Sequence, residues 1–267
     1  NGSTGQTQPF SEKDNGADLV ETSFLFQGLL TARQYFTGEN PEEKELRELI
    51  TELWEAVDWS WFRRNNEEVL YWHWSPDYGW EMNHRIRGWN ECLITYVLAA
   101  SSPTFPISKA VYDNGWADNG NMRNNGTYYD FQLPLGPSYG GPLFFAHYSF
   151  LGLNPKNLQD QYADYWQLNR NHALINYEYC VENPKGFEGY GDNCWGLTAS
   201  YSVNGYSAHM PVKNDLGVIT PTASLSSFPY TPEQSMKALK HFYFDLGDKI
   251  WGKYGFYDAF SLQDDWY

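Results

Sequence analysis

From Gly88 to Ser108 the chain carries one charged side chain, Glu91. It lies in the run WNECLITYVLAA, where Trp89, Cys92, Leu93 and Tyr96 fall on one side of a helical projection and Ile94 and Leu98 on the other. A helix that is apolar on every face belongs in an interior, so the segment predicts a buried helix from about Gly88 to Ala100. A carboxylate in such a place has to be hydrogen-bonded, paired or protonated. A raised pKa is what a general acid working near neutral pH requires. The structural alternative is an ion pair with Arg85 or Arg87, one turn back.

The rest of the chain has aromatic side chains beyond ordinary core demand: 12 Trp, 21 Tyr and 16 Phe in 267 residues, with a net charge of −15. A chain of this length buries a sizeable core unaided, and so much ring surface argues against disorder. The acidity argues against nucleic acid and anionic membrane partners, which need clustered Lys and Arg; only Arg63-Arg64 comes near a basic run. No apolar run approaches the roughly 18 residues of a membrane span. The three cysteines, Cys92, Cys180 and Cys194, share no C-x-x-C spacing, so neither a disulfide framework nor a zinc knuckle is expected. The sequence begins at Asn1 without a charged-then-apolar leader, so any targeting segment is expected to have been removed or left out. Rings beside carboxylates and amides suit flat, neutral, hydroxyl-rich ligands, of which sugars are the natural class; the alternative is that the rings fill a large core.

Periodicity predicts an irregular start over 1–16, a helix over 17–36 stopped by Gly38, and a second helix from Pro41 to Val57. Residues 69–74 (VLYWHW) have strand composition and lead into Pro76-Asp77-Tyr78-Gly79, which suggests a hairpin. A strand is expected near 128–133, with helices at 143–151, 158–182 and 232–246. The glycine-punctuated stretch 184–230 is too long for a plain connection, and a loop of that kind in a compact domain is usually functional. The pattern is all-α, with elaborated loops and little strand.

Asp14, Asp18 and Glu21 are spaced by four and then three residues, so Asp18 and Glu21 share a helix face if the helix has begun. Paired carboxylates are the raw material of glycoside hydrolysis. Acidic residues at a helix start are equally favoured by the macrodipole, and Asp18 also fits a plain capping role. The six histidines form no metal-ligand pattern, and Asp113 and Asp118 are followed eleven residues on by Asn124 and Tyr129 rather than the Glu of a calcium loop. No metal and no cofactor are therefore expected. His73, between Trp72 and Trp74, reads as a half-buried strand residue or a sugar hydrogen-bonder. Nucleotide loops and a nucleophilic serine elbow are absent from the sequence, which leaves carboxylates, amides and rings.

Several strings in fixed order carry a resemblance: DLVETSFLFQGLLTARQYF (18–36), VDWSWF (57–62), GWNECLITYVLAASSPTFPI (88–107), GYGDNCWGLTAS (189–200), NDLGVITPTASLSSFPYTPEQS (214–235) and YGFYDAF (254–260). From Asp14 onward the chain resembles the bacterial glycoamylase domain, a group that includes glycoside hydrolase family 144, the β-1,2-glucanases and sophorohydrolases, and the hydrolase-like domain of cyclic β-1,2-glucan synthases. The resemblance implies an (α/α)6 toroid, with 1–267 forming part of a single catalytic domain. It implies inverting hydrolysis of β-1,2-glucan or its oligosaccharides in a periplasmic or secreted bacterial protein.

Carried over by position, the resemblance places Glu91 of the Asn90-Glu91 pair in the acidic cleft as the acid candidate. Asp18 and Glu21 become base, water-positioning or subsite groups, and Asn90, Trp61, Trp195, Tyr206 and His209 become substrate-groove residues. Where relatives often read W-G-L-T-A-S-D-G-P, this chain reads WGLTASYSVNG, which puts Tyr201 at an acidic position. Relatives also carry helices before Asp14 and after Tyr267, so the ring is expected to be incomplete here, the remaining helices coming from a longer chain. Two other classes stay open at this point: a non-catalytic β-glucan-binding module, and an epimerase or lyase on the same toroid.

Overall fold

A computed structural model describes residues 3–4 and 8–267. Among these residues the chain forms seven α-helices, several short 3-10 and π turns, and ten strands of two to six residues that pair only in twos. The all-α class holds. No helix is long and apolar enough to cross a membrane, and the three cysteines are free and buried. The chain divides into two compact units: residues up to 122 with 149–153, and 123–148 with 154–267.

In the first unit, α1 (Leu19–Tyr35) packs against α2 (Pro41–Ala56) and α3 (Leu93–Ser101). Asn40 caps α2 by accepting the Glu43 N–H at 2.9 Å, and Pro41 follows at the first-turn position, where its missing N–H costs nothing. Phe26, Trp54 and Trp59 fill the space between these helices, with ring centroids 5.6–6.3 Å apart. The 70–74 segment is the other organiser. Its β2 (Leu70–Tyr71) pairs with β4 (Arg85–Ile86), and its β3 (His73–Trp74) pairs with β1 (Ala17–Asp18), antiparallel in both cases. The expected hairpin is therefore replaced by pairing to distant segments, and Pro76 to Gly79 forms only a turn closed by a Ser75–Gly79 bridge.

The apolar segment around Glu91 is interior, with Leu93, Ile94, Tyr96, Leu98 and Ala99 buried. It becomes helical later than the periodicity predicts, at Leu93, so Glu91 lies in the turn before α3. The reason is local. Asn90 accepts the Cys92 N–H on its side-chain oxygen at 2.9 Å, an Asx turn that competes with helix. The start of α3 is capped from outside: Ser149 Oγ accepts the Ile94 N–H at 3.0 Å and donates to the Glu91 carbonyl.

In the second unit, β5 (Arg123–Tyr128) and β6 (Phe131–Leu135) form a hairpin turning at Tyr129 and Asp130, both at positive φ (51° and 67°), as a two-residue turn demands. The helix expected from 158 starts at Tyr165 as α4 (Tyr165–Glu182), because Asp164 caps it through the Gln167 N–H. Most of α4 is buried, including Asn169, Asn171, His172 and Asn176, whose side chains bond Tyr230, the Gln132 carbonyl, the Gly141 carbonyl and Leu197. The segment 143–151, expected as helix, forms two 3-10 turns. The long 184–230 stretch contains the hairpin β7 (Ala199–Ser200) and β8 (Ser207–Ala208) and a short α5 (Pro221–Ser226). After it, α6 (Pro232–Lys240) runs into a π turn, His241–Asp245, so the helix expected over 232–246 is only partly regular. The four-residue α7 (Gly247–Ile250) and the β9–β10 hairpin, Trp251–Gly252 with Gly255–Phe256, follow.

Candidate active site

Asp18 sits at the junction of β1 and α1. Its Oδ1 accepts the N–H groups of Val20 and Glu21, both at 2.9 Å, which makes it the N-cap of α1 as the capping alternative had it. Capping does not exhaust the carboxylate. Its other oxygen, Oδ2, accepts the indole N–H of Trp72 at 3.1 Å and lies 3.6 Å from His73 Nε2. His73 Nε2 is also 3.8 Å from Asp14 Oδ2. Asp14, Asp18, Glu21, Trp72 and His73 line one cleft of about 770 Å³.

Glu21 stands one turn into α1. Partial burial pushes its carboxyl above the ordinary range, and the negative charges of Asp18 and Asp14 push it the same way. Glu91 responds similarly: burial raises its carboxyl first, and the charge of Glu21 adds to the rise. Glu21 is thus the electrostatic link between the Asp14–Asp18 pair and Glu91. Neither arginine considered for Glu91 pairs with it, since Arg85 bonds Glu67 at 2.9 Å and Arg87 bonds Asp118 at 3.0 Å. A desolvated carboxyl without a cation holds its proton to higher pH, as a general acid must.

The other sequence candidates fall in different surroundings. Asn90 shapes the Glu91 turn through its side-chain oxygen. Trp61, on a 3-10 turn (Ser60–Arg63), is 45% exposed and packs on Trp74 and Trp80 at 5.3 and 4.9 Å between centroids, forming an aromatic platform in the first unit. In the second unit Tyr206 is 67% exposed on the β7–β8 hairpin, edge-on to Tyr201 at 5.6 Å. Trp195 is fully buried against Tyr177, its indole N–H donated to the Gln234 carbonyl, so it supports the 190–206 region from within the core. His209 is also fully buried; burial lowers its pKa, against the opposing pull of Asp215 and Asp258.

Sequence reasoning did not single out Trp72 and His84 as parts of this site, and it read His73 as a half-buried strand residue or a sugar hydrogen-bonder; the residue is in a strand, half-buried, beside Asp14 and Asp18. The indole of Trp72 stacks on His84 at 4.9 Å and on His73 at 5.5 Å, behind the carboxylates. The partnership with Asp18 spans 54 residues and arises from strand pairing, for which local spacing gives no signal. Among the described residues, Asp14, Asp18 and His73 are also the one group whose ligand atoms lie close enough, within 4.8 Å of one another, to hold a metal ion. An indole N–H aimed at Asp18 Oδ2 opposes a cation there and favours an arrangement built around protons.

Together these features define an all-α protein with an acidic, aromatic-backed cleft. Residues 83–267 match the Glycoamylase family, described as glucoamylase-type proteins. The chain is 50% identical over 285 aligned residues to the exo β-1,2-glucooligosaccharide sophorohydrolase (non-reducing end) of Parabacteroides distasonis, an alignment covering 99% of this chain and 40% of that protein. It superposes on the endo-β-1,2-glucanase of Chitinophaga pinensis, solved with sophorotriose and glucose, with a TM-score of 0.96 at 57% identity, covering all of this chain and 65% of that one. It superposes on a β-1,2-glucanase of Parabacteroides distasonis with a TM-score of 0.95 at 50% identity, covering 99% of this chain and 41% of that one. The chain belongs to the Glycoamylase family, and it spans 40% of the curated sophorohydrolase and about two thirds of the C. pinensis glucanase.

Proposed function

We propose that this chain is part of a glycoside hydrolase that cleaves β-1,2-glucan or β-1,2-gluco-oligosaccharides with inversion. The observation that carries the reading is the pairing of two carboxyls with raised pKa values, Glu21 and Glu91, with Asp18, whose carboxylate accepts three N–H donors. A carboxyl that keeps its proton to higher pH suits the acid role, and a second carboxylate beside it the base role. The activities of the sophorohydrolase and the two glucanases support the linkage assigned to the substrate.

In this mechanism Glu91 donates its proton to the leaving glycosidic oxygen. Asp18 is fixed by three N–H donors, and with Glu21 it orders the water or substrate hydroxyl that attacks from the opposite face. Asn90, through the turn that carries Glu91, and the rings of Trp61 and Tyr206 serve substrate binding, with Trp195 and His209 as supporting groups. No cofactor enters the scheme. The remaining helices of an (α/α)6 toroid come from a longer chain, and both units belong to one catalytic domain. A polymeric glucan is met outside the cytoplasm, and this supports reading the protein as periplasmic or secreted.

The test is product chromatography on β-1,2-glucan, with β-1,3- and β-1,4-glucans as controls, for the wild-type protein and Glu91→Gln. Sophorose or longer β-1,2-oligosaccharides are expected from the wild type alone, with the variant still binding oligosaccharide. Binding without turnover by the wild type would instead identify a glucan-binding module, and an unsaturated or epimerised product would identify a lyase or epimerase.

A further inference from the structure

Three acidic side chains meet in the cleft, and among the described residues no Lys or Arg forms an ion pair with any of them; Lys13 pairs with Glu81, Arg85 with Glu67 and Arg87 with Asp118. Asp18 is nonetheless well supplied with donors, from Val20, Glu21 and Trp72. Among the described residues the side chain of Asp14 faces His73, whose Nε2 stands between the two carboxylates, 3.8 Å from Asp14 and 3.6 Å from Asp18. Both distances exceed a hydrogen bond, as catalytic contacts often do until substrate closes them.

The backbone holds His73 to this task. It lies directly across the β1–β3 pair from Asp18, and its neighbour Trp72 accepts the Leu19 N–H on its carbonyl and donates its own N–H to the His84 carbonyl, both at 2.9 Å. The imidazole is stacked on Trp72, with the planes 10° apart, and on His84 at 5.7 Å, so it has little freedom to turn away. Its second nitrogen, Nδ1, is buried and without a hydrogen-bond partner. A hydrogen on Nδ1 would be an orphaned buried donor, whereas a hydrogen on Nε2 faces two carboxylate acceptors.

We propose that His73 is a positioning residue for this site: in its Nε2–H tautomer it points one hydrogen into the gap between Asp14 and Asp18 and holds both carboxylates aimed into the cleft. This rests on the hydrolase reading above. Without that donor the Asp14 carboxylate loses the His73 contact that fixes it and turns away from the cleft. The charged and titratable groups facing the imidazole are Asp14 and Asp18 from the segment around β1 and His84 from the residue before β4, with Glu21 coupled to both aspartates. Burial lowers the His84 pKa, against the opposing pull of Asp18.

The test compares wild type, His73→Ala and His73→Gln on β-1,2-gluco-oligosaccharides, and reads the wild-type histidine rings by nitrogen-15 NMR. His73→Ala should lower kcat by roughly 10- to 100-fold, the scale of a misplaced catalytic group, with KM changed less than about twofold, the pattern of a group acting on the chemical step. His73→Gln, which returns an N–H near the Nε2 position, should recover most of kcat. An unchanged rate in His73→Ala, or a Gln variant no better than Ala, would overturn the proposal. The NMR arm needs no turnover: the wild type should show the Nε2–H tautomer, perturbed by Asp14→Asn, and an Nδ1–H tautomer would sink the idea. A wild-type protein inactive on these sugars defeats the hydrolase reading instead, while the ring tautomer still decides the placement of His73.

Discussion

Tyr96 donates its phenolic hydrogen to the carbonyl of Ile86 at 2.8 Å and accepts the N–H of Leu70 at 3.0 Å, so one hydroxyl on α3 closes the β2–β4 pair. The group is buried, and desolvation pushes its pKa well above the ordinary tyrosine value. A helix core position thereby fixes the strand segment that carries Trp72 and His73.

Tyr96→Phe removes the hydroxyl and leaves a buried donor and a buried acceptor without partners. Each orphaned group costs about 1–3 kcal/mol, so equilibrium denaturation should show a loss of at least about 2 kcal/mol. The kcat should fall further than a stability loss alone explains, because the 70–74 segment loses its anchor. A variant as stable as wild type would show that the bridge carries no weight.

Glu91 also has a stability signature. Its folded-state pKa is raised, so the native protein prefers the protonated form. That stabilisation is fully present below the ordinary glutamate value and is lost as the pH rises through the raised one. Glu91→Gln, which never ionises, should therefore match the wild type in thermal midpoint at a pH below the ordinary value. It should exceed the wild type increasingly as the pH moves to neutrality. Parallel midpoints across that window would contradict the burial assigned to this carboxyl.

His172 gives the opposite slope in the second unit. Burial lowers its pKa to about 4, and its Nε2 is held 3.0 Å from the Gly141 carbonyl. A Cβ on Gly140 would fall 2.1 Å from the ring, so this glycine is required for the imidazole to fit. His147, pushed to about 3, behaves in the same way. Both groups take up protons more readily when the chain unfolds, so stability present above about pH 6.5 is lost as the pH falls from there through the folded values. For His172 the shift corresponds to roughly 3 kcal/mol. His172→Asn should flatten the decline in stability between pH 6.5 and 4, measured by urea denaturation; an unchanged slope would mean that the histidine is not buried neutral.

The sequence made the helices α1, α2 and α6 legible, because their apolar spacing and their Asn40-Pro41 and Thr231-Pro232 starts are local signals. It also drew attention to Asp18, Glu21 and Glu91, since a carboxylate in an apolar run or paired on a helix face is visible without a fold. Side-chain bonds over short range redrew boundaries: the Asn90 turn delays α3, and the Asp164 cap sets the start of α4. Longer-range pairing was not legible at all. Nothing in VLYWHW says that His73 faces Asp18 while Leu70 faces Ile86, because a two-residue strand has no periodicity from which to read a partner. Trp195 illustrates the converse, since a tryptophan in a glycine-rich loop has the sequence profile of a ligand platform and yet forms core.

The cap on α3 bears on the order in which the chain can become functional. Ser149, which holds both the Ile94 amide and the Glu91 carbonyl, lies 58 residues downstream of Glu91. During synthesis the local Asn90 bond can form early, but the Ile94 amide and the Glu91 carbonyl wait for their serine until the whole 123–148 segment has been made. A nascent chain therefore completes its acidic turn late, after α1, α2 and their aromatic core have had time to assemble.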